Sequence, residues 1–337
     1  MKSFEVEPRA PAYLSLTDSQ WEEKLEKSRS LVSPCVLCAR RCRVKRNAED
    51  NASEPQSSGS EGACESIRTS SGRRARAGAV GVCGTGEMAR VASFGPHFGE
   101  EPPLVGRRGS GTIFFAGCNL KCSFCQNYDI AHLDRGWEVT DEELSRIMLR
   151  VQEMGCHNVN LVSPTHVVPN ILAAVRMAAK KGLKIPIVYN TGGYDSLETL
   201  EVLDGVVDIY MPDMKYGEPG PAEEFSMAPD YPEVSFKAVK EMHRQVGDLV
   251  TDRHGVAVRG LLVRHLVLPE GMAGTQKVME FIATQISKDT YVNVMAQYRP
   301  YYKVVGHPVI GRRITGSEYR QALDIARRAG LTRVHAL

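Results

Sequence analysis

The sequence predicts an α/β fold, a partial (β/α)6 TIM-like barrel with an N-terminal cysteine-rich extension. Three observations predict it. From residue 111 onward, six apolar runs of strand length alternate with six amphipathic, capped segments of helix length, the order that produces a parallel sheet with helical crossovers. No Gly-x-Gly-x-x-Gly follows the first run, as a doubly wound dinucleotide fold would require. The unusual polar residues fall just after the apolar runs, and a barrel collects its ligands at the C-terminal ends of its strands.

The elements read in order. Residues 17–32, "TDSQWEEKLEKSRSLV", form an amphipathic helix with Trp21, Leu25 and Val32 on one side and a Thr17/Gln20 capping box. Residues 47–78, rich in Ser, Gly, Glu and Arg, bury too little apolar surface to offset ordering entropy and read as a disordered insertion containing Cys64; structure resumes near Gly81. "GTIFFAG" is then a buried strand, and "TDEELSRIMLRVQEMG" a helix with a Thr140/Glu143 capping box and Leu144, Ile147, Met148 and Val151 on its apolar stripe. "NVNLVSP", "KIPIVYN", "VVDIYMPDMK", "VRGLLVRHLVLP" and "YVNVMAQY" are strands. Between and after them, helices are read at "PNILAAVRMAAKKG", "SLETLEVLDG", "PEVSFKAVKEMHRQVG", "GTQKVMEFIATQI" and "TGSEYRQALDIARRAG", the last with a Thr315/Glu318 box. The division is residues 1–105 for the helix and cysteine-rich extension and 106–337 for the barrel.

The 337 residues are 42% hydrophobic and 24% charged, enough for a sizeable core. A net charge of +2 supplies no global field for nucleic acid or membrane. No apolar run reaches the roughly 20 residues that span a bilayer, and the N-terminus lacks a signal-peptide pattern, so a cytoplasmic protein is expected. Among nine cysteines, Cys35, Cys38, Cys42 and Cys83 form one group and Cys118, Cys122 and Cys125 another. In a large, unexported chain, such clusters point to metal or catalysis rather than disulfides. "CNLKCSFC" follows the first barrel strand, so its thiols stand at the barrel mouth. A structural zinc would need a fourth ligand, for which His132 is a candidate; a 4Fe–4S cluster held by three cysteines keeps one iron open.

"CNLKCSFCQN" resembles the CxxxCx(aromatic)C signature of the radical S-adenosylmethionine (SAM) superfamily, with Phe124 at the aromatic position, and the resemblance extends over residues 111 to about 300. It implies that Cys118, Cys122 and Cys125 hold a 4Fe–4S cluster whose open iron chelates SAM. Reductive cleavage then yields a 5′-deoxyadenosyl radical that abstracts a hydrogen atom from the substrate. Several strand ends are similar to those of activating enzymes for pyruvate formate-lyase and other glycyl-radical enzymes. On that resemblance Asp213 and Lys215 of "YMPDMKY" contact SAM, as do Asn190 and Thr191 of "YNTGGYD", beside Gly192 and Gly193. Arg264 and His265 are sequence neighbours, so one at most faces the interior; Arg264 is the expected carboxylate partner for SAM and His265 a packed or surface residue. The segment "LVSPTH" departs from the usual Gly-Gly-Glu-like run: Ser163 and Thr165 are the available acceptors there, and His166 is a candidate for the substrate side.

"CVLCARRC" with "GVCG" resembles the N-terminal element of one branch of activase homologues. Cys35, Cys38, Cys42 and Cys83 would close a second site, zinc or an auxiliary 4Fe–4S cluster; their spacing admits both. Arg40, Arg41, Arg43, Lys45, Arg46, Arg73, Arg74 and Arg76 read as a solvated basic segment, the alternative being a docking face for an acidic electron donor of the flavodoxin or ferredoxin type. RNA is disfavoured because no stacking aromatics interleave with the charges. Three functions follow: a radical SAM enzyme of the glycyl-radical-activase kind, with a glycyl-radical protein as substrate; a radical SAM enzyme acting on a small molecule, peptide or RNA; or a non-catalytic cysteine-metal protein that docks on a partner.

Overall fold

The computed structural model describes residues 4–6, 9–46, 80–133 and 135–336. Cys64, the expected disordered insertion and Arg73, Arg74 and Arg76 lie outside the described residues. All six expected barrel strands are present as adjacent parallel strands: β2 (Ser110–Phe115), β4 (Val159–Val162), β5 (Ile187–Thr191), β6 (Ile209–Pro212), β8 (Ala257–Leu266) and β9 (Tyr291–Met295). β10 (Arg333–Ala336) continues the parallel run beyond β9. β1 (Ala89–His97) and β3 (Trp137–Val139) extend the other edge antiparallel, and β7 (Val250–Thr251) pairs antiparallel with β8. The order is β10-β9-β8-β6-β5-β4-β2-β1-β3, an open sheet of the expected partial-barrel class. β1 and a short helix at Pro102–Val105, both upstream of residue 106, belong to this sheet and its interior.

Side-chain alternation divides the sheet into two faces. Leu161, Tyr189, Tyr210, Leu261, Val263 and Val292 turn outward into the main core. They meet the apolar stripes of the helices at Asp141–Glu153, Val168–Lys180 and Tyr231–Val246. The opposite face carries Val188, Ile209, Met211 and Leu262, which share a smaller core with Leu104 of the Pro102–Val105 helix. Leu104 therefore packs from inside, and the polar residues Asn190, Asp213 and Arg264 continue the same inward rows towards the C-terminal edge.

The three capping boxes are formed at Thr17, Thr140 and Thr315. The N-terminal helix, Asp18–Ser30, buries Trp21 and Leu25 and is tied to the Val168–Lys180 helix by Arg176, which reaches Asp18 at 3.1 Å and Glu22 at 2.7 Å. The segment read as one helix over 274–286 divides: α-helix ends at Phe281 and a π turn runs from Ile282 to Ile286. Among the described residues, no helix is long and apolar enough to cross a membrane.

Candidate active site

Cys118, Cys122 and Cys125 leave β2 at the C-terminal edge of the parallel strands. Gly117 opens the loop at φ +89°, where a Cβ would lie 2.5 Å from the Cys83 carbonyl oxygen, so only glycine lets the two cysteine segments approach. The Ser123 N–H donates to Phe225 O at 2.7 Å, and the Lys303 N–H to Ser123 O at 3.0 Å. The Phe124 ring is buried and meets Tyr216, Phe225 and Tyr298 edge-on, with centroids 6.3, 6.4 and 5.8 Å away. Those contacts anchor the loop from within.

The described cysteines are free thiols and are not gathered around a common point. The loop thiols nonetheless lie within electrostatic reach of one another. Burial, reinforced by Cys122 and Cys118, pushes Cys125 up to about 12, and burial raises Cys122 as well. Loading with iron would displace those protons. Two donors already face sulfur: the Ser226 hydroxyl stands 3.1 Å from Cys122 Sγ and the Leu120 N–H 3.4 Å from Cys118 Sγ. Three soft donors on one loop, with hydrogen bonds aimed at two of them, fit a thiolate-held iron–sulfur group. His132, the candidate fourth zinc ligand, places Nε2 3.1 Å from the Cys122 carbonyl oxygen instead.

At the neighbouring strand ends, Asp213 lies between two cations. Lys215 Nζ is 2.6 Å from Oδ2, and Arg264 Nε 2.9 Å from Oδ1. Arg264 also donates to Asn190 Oδ1 at 2.9 Å and to Glu100 at 3.1 Å. Burial alone would raise the Asp213 carboxyl; Arg264 and Lys215 overcome it and hold the group at about 2. Burial raises Glu100, with Arg264 opposing. Glu100 is absent from the sequence reading because its partner is 164 residues away. His265, on the other face of β8, is fully buried, 2.7 Å from Met214 O through Nδ1 and 2.9 Å from Thr275 Oγ1 through Nε2.

Thr165 and Thr191 come together on a residue the sequence reading passed over. Both hydroxyls donate to Asp195, at 2.7 Å each, and the Tyr189 hydroxyl joins them at 2.9 Å. Burial raises the Asp195 carboxyl, and the hydroxyls of Thr191, Thr165 and Tyr189 pull it back. Its only local signal is the Thr-x-x-x-Asp spacing inside "YNTGGYD". Ser163 adopts φ 56° and donates its N–H to Asn190 O at 2.9 Å. His166 is buried, turned to Ala116 O at 3.0 Å, and pushed by burial down to about 3. The glycines after Thr191 serve close approach within the chain: a Cβ on Gly192 would meet Leu120 at 2.7 Å, and one on Gly193 the Asp213 carbonyl at 2.5 Å.

Cys35, Cys38 and Cys83 are buried and Cys42 half-buried. Burial raises Cys38, with Cys83, Cys35 and Cys42 adding to the shift, so the four thiols lie within mutual electrostatic reach. Their segment docks on the loop after β5, where Cys38 bridges to Asp195 and Leu37 O accepts from Ser196 and Thr199. The expected solvated basic segment holds at the exposed Arg41, Arg43 and Lys45 and is corrected at Arg40 and Arg46. Arg46 is buried and bonded to Gly86 O, Arg41 pairs with Glu198 at 2.6 Å, and Arg40 is spent on backbone carbonyls.

A thiol-rich loop and a preformed set of charges, both at the open edge of a parallel sheet, are the parts of a cofactor-dependent barrel enzyme. The radical SAM superfamily model matches residues 112–257. An uncharacterized protein of Methanocaldococcus jannaschii is 30% identical over 322 residues, covering 93% of this chain and 80% of that protein. A pyruvate formate-lyase-activating enzyme of Clostridium pasteurianum is 41% identical over 64 residues, 19% of this chain and 25% of the enzyme. Methylornithine synthase aligns in structure over 65% of this chain and 68% of its own, at TM-score 0.42 and 14% identity. Residues 112–257 thus carry a radical SAM superfamily domain, and members of that superfamily use a 4Fe–4S cluster and SAM.

Proposed function

We propose that the protein is a glycyl-radical-activase-like radical SAM enzyme, in which Cys118, Cys122 and Cys125 hold the cluster. The observation that carries this reading is the position of the three-thiol loop directly after β2, beside the Asp213–Lys215–Arg264–Asn190 network on neighbouring strand ends. When bound, the cluster and SAM supply one-electron reductive cleavage and a 5′-deoxyadenosyl radical for hydrogen-atom abstraction.

The chain's own residues do the remaining work. Arg264 and Lys215 face a ligand carboxylate, and Asp213 with Asn190 accept from its amino and ribose donors. Ser163 adds an acceptor near Asn190. Phe124, Thr165 and Thr191 keep the loop and the β5 end in place through the contacts described above. Residues 1–105 contribute the second thiol site at Cys35, Cys38, Cys42 and Cys83, for zinc or a second 4Fe–4S cluster, together with β1 and the Pro102–Val105 helix that join the sheet, and residues 106–337 the parallel strands of the barrel. A flavodoxin- or ferredoxin-type protein is the electron donor, and the cytoplasm the working compartment.

The short match to a pyruvate formate-lyase-activating enzyme supports a glycyl-radical protein as hydrogen donor. The test is anaerobic incubation of reconstituted, reduced protein with SAM and pyruvate formate-lyase. A glycyl-radical signal in electron paramagnetic resonance, formed in step with 5′-deoxyadenosine, supports the activase reading. Nucleoside release without that signal removes this enzyme as the hydrogen donor and leaves the radical SAM chemistry standing.

A further inference from the structure

Arg40 lies between Cys38 and Cys42, yet its guanidinium reaches the other thiol loop. Nε donates to Asn119 O at 2.9 Å and Nη2 to Leu120 O at 3.2 Å, both inside the Cys118–Cys122 stretch. Nη2 also donates to Ser226 O at 2.6 Å, and Nη1 donates to Met227 O. The guanidinium sits 5.3 Å from the centre of the Tyr194 ring. All four acceptors are backbone carbonyls, so the fork fixes main-chain positions. Two of them close the helix Pro219–Ser226, where Met227 turns left-handed at φ 51°. The last carbonyls of a helix lack intrahelical donors and favour a cation.

The helix end held in this way carries the hydroxyl that faces the loop. Ser226 Oγ is 3.1 Å from Cys122 Sγ, and the Tyr216 hydroxyl is 2.7 Å from Ser226 Oγ. A serine hydroxyl has one proton to give. With that proton directed at sulfur, Tyr216 donates to Ser226, and the chain runs Tyr216 to Ser226 to Cys122. All three side chains are buried, so water does not substitute for a lost member.

We propose that Arg40 is a positioning residue that holds Ser226 in place to donate a hydrogen bond to the Cys122 sulfur, and that this bond tunes the reduction potential of the group bound there. Hydrogen bonds to cluster-ligating sulfurs are among the determinants of that potential, and they favour the reduced, more negative state. The cysteine segment near the N-terminus thereby acts on the three-thiol loop through one side chain. The inference rests on the reading of Cys118, Cys122 and Cys125 as cluster ligands.

The experiment is a redox titration of the reconstituted full chain, followed by electron paramagnetic resonance, with iron and sulfide counted in each sample. Ser226→Ala is expected to load iron as the wild type does and to show a roughly tenfold smaller reduced-to-oxidised ratio at a given potential, a shift of about 59 mV for one electron. Arg40→Gln, which keeps one amide donor in place of the fork, is expected to shift in the same direction. The double variant is expected to shift no further than Ser226→Ala alone, because both changes remove the same bond. A wild-type titration curve in iron-loaded Ser226→Ala overturns the inference, as do additive shifts in the double variant. Wild-type protein that takes up no 4Fe–4S cluster overturns the cluster reading itself, so the two failures are distinct.

Discussion

Arg264 and Asp213 are joined twice: as backbone partners on adjacent parallel segments, and through Arg264 Nε at 2.9 Å from Asp213 Oδ1. The strand register alone brings the two side chains to the same level of the sheet. The side chains extend the pairing into a row of alternating charge, from Glu100 through Arg264 and Asp213 to Lys215. These groups are 17–18% exposed apart from Glu100 at 8%, so each depends on its neighbours for compensation.

Asp213→Asn leaves Lys215 and Arg264 without the carboxylate between them. Removing one partner of a largely buried pair costs about 3 kcal/mol. A corresponding drop in urea stability is expected, together with SAM binding at least roughly tenfold weaker, since a misplaced cation loses about 1.4 kcal/mol or more of a charged hydrogen bond. Equilibrium unfolding and titration of SAM into the reconstituted variant check both. Wild-type values for the two together would remove the network from the site.

Asp195 has a different part. Its carboxylate is wholly buried and receives three hydroxyl donors from Thr165, Thr191 and Tyr189. Asp195→Ala strands those donors and is expected to lower stability by about 3 kcal/mol, near the sum of several lost buried hydrogen bonds after relaxation. Thermal unfolding measures it. A loss of SAM binding with unchanged stability would instead give Asp195 a direct ligand role.

Much of this arrangement was legible in the sequence, and the remainder was not for identifiable reasons. The six parallel strands are buried on both faces, so they read as unbroken apolar runs. The boxes at Thr17, Thr140 and Thr315 are local, with donor and acceptor three residues apart, and all three formed. β1 escaped notice because its outer half is exposed and interrupted by Gly95 and Pro96. Glu100 escaped because its partner Arg264 is 164 residues away, and Asp195 because the Thr191 and Tyr189 spacings that serve it are too common to single it out. Arg40 reads as solvated because the carbonyls that hold it carry no side-chain signature.

Acid should expose the cost of the buried histidines. Met214 O accepts only, so His265 Nδ1 carries the proton and Nε2 accepts from Thr275. Burial pushes His265 from 6.5 down to about 4, so between those values the unfolded chain binds more protons and stability falls as pH drops. Asp208, pushed by burial up to about 6, opposes this by gaining a proton in the folded state over part of the same range. Comparison with His265→Gln isolates the histidine: the wild-type advantage is expected to shrink by about 2 kcal/mol between pH 7 and pH 5. A gap independent of pH in urea unfolding contradicts this assignment.

Gly117 marks the close approach of the two cysteine segments. Alanine there would meet Cys83 O at 2.5 Å and would occupy φ +89°. Strain of this kind costs about 1–3 kcal/mol. Gly117→Ala is expected to lower the melting temperature and to reduce metal uptake at the loop, read by metal analysis after reconstitution. Full uptake with wild-type stability would show that the two segments tolerate separation.

The central claim is that Cys118, Cys122 and Cys125 hold a cluster that cleaves SAM, and the most direct measurement is release of 5′-deoxyadenosine by anaerobically reconstituted, reduced protein. Wild-type protein is expected to release it, and Cys122→Ala to release none while keeping metal at Cys35, Cys38, Cys42 and Cys83. Cluster-loaded wild-type protein that releases no nucleoside, or Cys122→Ala that releases it at the wild-type rate, would contradict the account.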